Sequence, residues 1–238
     1  MWLDVIQYYN FYKSDLGEAC RRVVMRKIHE IWPHVKGQIV AGVGYSNPYL
    51  SLFKEDARAT FSFMPGPMGV MSWPKDAKNL AALIEENQWP LEDKTIDLLL
   101  VVHSFEHTAN AHDFLRESWR VLSDGGRLLM IVPNRRGLWS RNVSTPFGHG
   151  HPYTGRQLYD LLENAFFTPS NPQYCLHMPP FNSFVSLQFY EALESLGQNW
   201  SKKFGGLVVL EAQKQVISLR KKPIPKWGPH VFVPKPLS

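Results

Sequence analysis

Two short stretches of the 238-residue chain concentrate side chains that can carry protons. In HSFEH, His103, Glu106 and His107 fall within one turn of chain, and in GHGHPY, His149, His151 and Tyr153 are spaced by glycine and proline. Histidine titrates close to neutrality, so either group could serve as a general base toward a hydroxyl or an amine. His107, His149, His151 and Tyr153 are therefore the catalytic candidates, with the alternative that His151 and Tyr153 only pin their loop. A metal is not expected: the first stretch lacks the H-E-x-x-H spacing and no fourth ligand is placed by sequence. Cys20 and Cys175 stand far apart with no C-x-x-C pair, as packed thiols of a reducing compartment would. Arg135, Arg136 and Arg141, in PNRRGLWSR, suit an anionic substrate or merely a solvated rim.

A third stretch, GQIVAGVGYSNPYL, can act through its backbone. An apolar run ends at Gly42 and Gly44, where bare main chain can approach a ligand closely and the following N–H groups favour an anionic group.

These groups need a scaffold that brings strand ends together. QIVAGVG, ARATFSFM, TIDLLLVV, RLLMIVP and GGLVVLEAQKQ read as buried strands. Helices are expected between or before them: from Asp15 (with Glu18 as a capping box) to Trp32, from Asn110 to Leu122, from Thr154 to Ala165 and from Phe184 to Leu196, with room for another after Gly44. This alternation predicts an α/β fold, a Rossmann-like, doubly wound, mainly parallel sheet of seven strands preceded by an N-terminal helix, with ligands beyond the carboxyl ends of the strands. One domain over 1–213, including a helical cap over about 1–36, is expected to be followed by a basic, proline-rich tail over 214–238, which holds Lys214, Arg220, Lys221, Lys222, Lys226 and Lys235.

The net charge of +5 is a weak pointer to nucleic acid, and no apolar run approaches the roughly 20 residues of a membrane span. The first residues show no secretory pattern, so a cytoplasmic protein without membrane contact is expected.

The stretch FLRESWRVLSDGGRLLMIVPN resembles the second half of a class I S-adenosylmethionine-dependent methyltransferase of the small-molecule type often labelled type 11. Leu115, Glu117, Arg120, Val121, Leu122, Gly125 and Gly126 fill that family's L-x-E-x-x-R-V-L-x-x-G-G pattern, and the similarity spans roughly residues 36–134. The resemblance implies S-adenosylmethionine as cofactor, with Gly42, Gly44 and Tyr45 at its methionine part and His103 and Ser104 lining the sulfonium. It also places Glu85 and Glu86 at the adenine edge, unless these two are just the exposed end of a helix in NLAALIEEN. Three positions depart from the family: Ala41 lies near the place of an acid in the glycine turn, Ser46 stands where a third glycine is common, and Met64 where an acid takes the ribose hydroxyls. Loss of that acceptor would forfeit about 1–3 kcal/mol.

The expected function is methyl transfer from S-adenosylmethionine to a small molecule, an anionic one if the arginine rim is used. The alternative is a methyltransferase-fold protein without catalysis, serving as a binding or regulatory partner. A role on RNA rests on the basic tail and the arginine rim and is not expected, because no RNA-binding module is visible.

Overall fold

The structure, a computed structural model, describes residues 2–86, 88–180, 187–200 and 203–216. Its centre is an eight-stranded sheet. The strands are β1 (Ile39–Gly44), β2 (Ala59–Pro65), β3 (Ala81–Ile84), β4 (Ile96–Val102), β5 (Leu122–Pro133), β6 (Phe167–Pro169), β7 (Gln173–Cys175) and β8 (Leu207–Lys214). They lie in the order β3-β2-β1-β4-β5-β8-β6, with β7 also on β8. The first five in this order are parallel, and β8 runs antiparallel to β5, β6 and β7. The fold is thus the doubly wound α/β architecture expected. The strand beyond the seven anticipated arises because Asn171 and Pro172 divide the outer edge into two short pieces.

Alternate residues of β1 and β4 serve opposite faces, as a strand buried on both sides requires. Val40, Leu98 and Leu100 join the core beneath α1 (Val5–Lys13) and α2 (Asp15–Ile31). Ala41, Val43, Leu99 and Val101 join the core beneath α4 (Ala111–Val121) and α5 (Gly155–Asn164).

The N-terminal cap is two helices. Asp4 caps α1 in a reciprocal capping box with Gln7. The cap of α2 is Ser14, whose side chain accepts from the Gly17 N–H, so the expected box of Asp15 and Glu18 is instead the acidic first turn of a helix that starts one residue earlier. Asn110 and Thr154 cap α4 and α5 as read from the sequence.

Two local expectations fail for tertiary reasons. Residues 81–84 form β3 and not a helix, because the open edge of β2 takes them as a parallel partner while the Asn79 side chain accepts from the Ala81 N–H. After Gly44 only Asn47–Leu50 is helical (α3), and the chain then continues through turns. Tyr49, Leu50 and Phe53 are buried there, holding this segment against the core. The last helix, α6, covers Leu187–Trp200; the start expected at Phe184 lies outside the described residues, as does the tail beyond residue 216. Lys214 belongs to β8, where its Nζ donates to the Leu122 carbonyl at 2.6 Å. Among the described residues, no helix is long and apolar enough to cross a membrane.

Candidate functional site at the tips of β1 and β4

Parallel pairing sets the carboxyl ends of β1 and β4 side by side, Gly44 opposite Val102. Gly44 has φ +86°, and a Cβ there would run into the Val102 carbonyl and the Ser104 side chain. Gly42 is similarly hemmed in, a Cβ meeting Ser46 and Leu50. Both glycines are thus required by packing within the chain, so their smallness does not leave a cradle for a ligand.

The space above these tips is filled by α1. Tyr8 and Tyr12, one turn apart, stack on Tyr45 with ring centroids 5.2 and 5.7 Å away. The Tyr12 hydroxyl lies 2.8 Å from His103 Nε2 and 2.7 Å from the Tyr49 hydroxyl. This chain of bonds closes when Tyr49 donates to Tyr12 and Tyr12 to Nε2, which places the imidazole proton on Nδ1, 3.6 Å from Glu106 Oε1. The Tyr8 hydroxyl is 3.2 Å from His107 Nε2, and the His103 ring also packs on Phe147 at 4.6 Å. Gly17 lets α1 fold back this far: a Cβ on it would strike the Phe11 carbonyl and the Tyr12 backbone.

Electrostatics follow from this enclosure. Burial pushes the phenols of Tyr8, Tyr12, Tyr45 and Tyr49 upward, so all four remain neutral donors or acceptors. For the Glu106 carboxyl, burial acts upward, yet its contact with His103 and the nearby His107 hold it below the ordinary carboxylate value. Burial lowers His107, with Glu106 pulling the other way. Glu106 also accepts from the Ser104 N–H at 3.1 Å.

The structure brings Gly42, Gly44, Tyr45, His103, Ser104 and His107 to one place, but as a packed block. Met64 is fully buried in the core beneath the cap, with no polar partner role. Glu85 and Glu86 follow β3; Glu85 is exposed, and Glu86 accepts weakly from Thr108 and Ala109 at 3.4 Å. They therefore follow a strand and not the end of a helix.

The second histidine group joins through backbone, the His151 N–H donating to the Glu106 carbonyl at 2.6 Å. Its side chains turn elsewhere. His149 Nε2 faces the Val143 carbonyl at 2.9 Å and His151 Nε2 faces Arg135 at 2.8 Å. Tyr153 lies on Phe105 at 5.2 Å, where burial raises its phenol. These contacts match the loop-pinning alternative. Tyr8, Tyr12 and Tyr49 were not singled out from the sequence. The box at Asp4 and Gln7 and the four-residue spacing of the two α1 tyrosines would have marked the helix, though not its destination.

The pattern that suggested a family proves to be a clamp. Arg120 pairs with Glu117 at 2.8 Å and Asp93 at 2.7 Å, and donates to the carbonyls of Leu91 and Trp89, while Glu117 accepts from the Trp89 N–H. This fastens the loop between β3 and β4 to α4. The model of the family described as a methyltransferase domain matches residues 36–130. Over those residues the chain is similar to a methyltransferase domain. The whole described fold follows that domain's architecture in solved structures. A protein from Thermotoga maritima described as a possible histamine N-methyltransferase superposes with a TM-score of 0.62 at 15% identity, covering 89% of this chain and 96% of that one. An S-adenosylmethionine-dependent methyltransferase from Archaeoglobus fulgidus gives 0.59 at 17% identity, covering 82% and 94%. The [4+2]-cyclase SpnF gives 0.57 at 15% identity, covering 84% and 82%. No curated protein matches the chain.

Such a methyltransferase domain implies S-adenosylmethionine, and the residues at the strand tips do not fit it as they stand. His103 and Ser104, which the resemblance sets at the sulfonium, lie beneath tyrosine rings, and Met64, which it sets at the ribose, offers a buried thioether, a weak acceptor.

Proposed function

We propose that the protein works as a binding or regulatory partner on a methyltransferase fold, with its adenosyl hollow closed by its own first helix. The Tyr12 hydroxyl, bonded to both His103 and Tyr49 inside the hollow, carries this reading. Admitting a cofactor would break those two buried bonds and the two ring contacts to Tyr45, at a cost of roughly 3–5 kcal/mol. Closure on that scale lowers apparent affinity roughly a hundredfold to several thousandfold, and the missing ribose acceptor lowers it further. Calorimetry of the full chain with S-adenosylmethionine or S-adenosylhomocysteine at about 1 mM is expected to give no binding. A saturable isotherm would overturn the reading.

The second reading is an S-adenosylmethionine-dependent methyltransferase of a small molecule, entered when α1 moves away. It is favoured by the domain match and by a set of orphaned polar atoms at the tips. Ser46 Oγ, Ser104 Oγ, His103 Nδ1, Glu106 Oε1 and His107 Nδ1 are buried without a hydrogen-bond partner, and such groups gain from a ligand that pairs with them. Tyr12→Ala separates the two readings: it is expected to leave the chain blind to the cofactor if the site is lost, and to create binding if the site is only covered.

A further inference from the structure

A cavity of about 550 Å³ opens on the other side of Tyr45, between α1, α3 and the loop that follows β2. Its size is ordinary for a small-molecule site. The walls are aromatic and soft: Tyr9, Tyr45, Met71 and Trp73 line it. The loop wall is fixed, since the Leu80 N–H donates to the Trp73 carbonyl at 2.6 Å and the Asn79 side chain accepts from the Trp73 N–H at 3.1 Å. The Tyr45 hydroxyl reaches Met71 Sδ at 3.9 Å, joining the α3 side to the loop.

The charges of this cavity are one-sided. Lys13, Arg21 and Lys75 line it, and no carboxylate does. Arg21 is already taken by Glu18 at 2.7 Å. Lys13 lies over the Tyr9 ring at 4.5 Å and, together with Lys75, draws the Tyr9 phenol below its ordinary value, so both ammonium groups act on the same mouth. Among the described residues neither lysine has an acidic partner.

We propose that this cavity binds a small amphiphilic anion, its aromatic or other flat apolar body against Tyr45, Met71 and Trp73 and its carboxylate or phosphate between Lys13 and Lys75. Aromatic walls give such a body large contact area, and charge-assisted contacts fix its orientation. S-adenosylmethionine, whose sulfonium and ammonium outweigh its one carboxylate, has the wrong net charge for this mouth. Tyr12 and Tyr45 form a wall shared with the strand-tip block, so the cavity lies beside that block and its preference for an anion does not depend on which reading of the hollow holds.

The test is calorimetric titration of the full chain with 1-naphthyl phosphate and 1-naphthoate, against 1-naphthol and inorganic phosphate as half-ligands. At least one of the two anions is expected to bind saturably below about 1 mM, with neither half-ligand matching it. The better anion identifies a phosphate ester or a carboxylate as the natural group. In Lys13→Ala/Lys75→Ala, whose changes are at exposed positions, binding should weaken roughly tenfold or more. Trp73→Ala should weaken the naphthyl anions while leaving their charge dependence intact. Absence of saturable binding by both anions, equal binding of 1-naphthol, or affinity unchanged in the double lysine variant would overturn the proposal.

Discussion

The β4–α4–β5 half of the sheet and the β1–α3–β2 half share one fold and treat their carboxyl ends differently. In the first half the family pattern is intact, and its polar members are engaged in holding a loop: Arg120 and Glu117 fasten residues 89–93. In the second half the ligand-facing positions are altered, and side chains from α1 fill the room above them. The residues that carry the resemblance to a family are here the ones that build the scaffold. The resemblance consequently carries the architecture across and says little about what the strand tips contact.

Several substitutions would sharpen or break this contrast. The largest effect is expected at Gly44, where φ +86° and the Val102 carbonyl leave no room for a side chain. Gly44→Ala should cost about 3 kcal/mol or more in urea unfolding; a near-neutral result would mean the turn is looser than the packed block described. On the scaffold half, Arg120→Met strands Glu117 and frees the loop after β3, with an expected loss of about 2–3 kcal/mol measured the same way. If that loss were absent, the clamp would not be what fastens the loop before β4 to α4. A smaller change is Tyr12→Phe, which keeps the ring and removes the bridging hydroxyl. About 1–2 kcal/mol should be lost.

The smallest effect is a pH dependence. His107 is held below its ordinary value of 6.5 and Glu106 below its ordinary 4.5. In both cases the unfolded chain takes up the proton first as pH falls, so each group contributes stability above its ordinary value and loses it toward its lowered one. Thermal midpoints should therefore decline on acidification below about pH 6.5, first through His107 and then through Glu106. His107→Gln should flatten the upper part of that decline. A midpoint unchanged between neutral pH and about pH 5 would remove His107 from the account.

Much of the scaffold half could be read from the chain because its signals are local. The continuous apolar run of β4, the Asn110 cap and the glycines at 125 and 126 each act within a few residues of themselves. The strand-tip half depended on contacts distant in sequence, such as Tyr12 with His103 and Tyr8 with His107. Periodicity can say that a tyrosine lies on a helix, but not which strand end that helix will cover. The histidines of 149–151 show a related difficulty. Their loop was placed after β5 as expected, yet side-chain direction was decided by Val143 and Arg135. At 81–84 the pull of an unpaired strand edge outweighed a locally helical composition.

Ser14 is both the last cap of α1 and the first cap of α2, its hydroxyl donating to the Phe11 carbonyl and accepting from the Gly17 N–H. The two helices are therefore joined as a bent lever whose pivot is a single residue. The short arm cannot swing without undoing the fastening of the long one. The seat of the tyrosines is thus also braced at the elbow, by one hydroxyl that touches none of them.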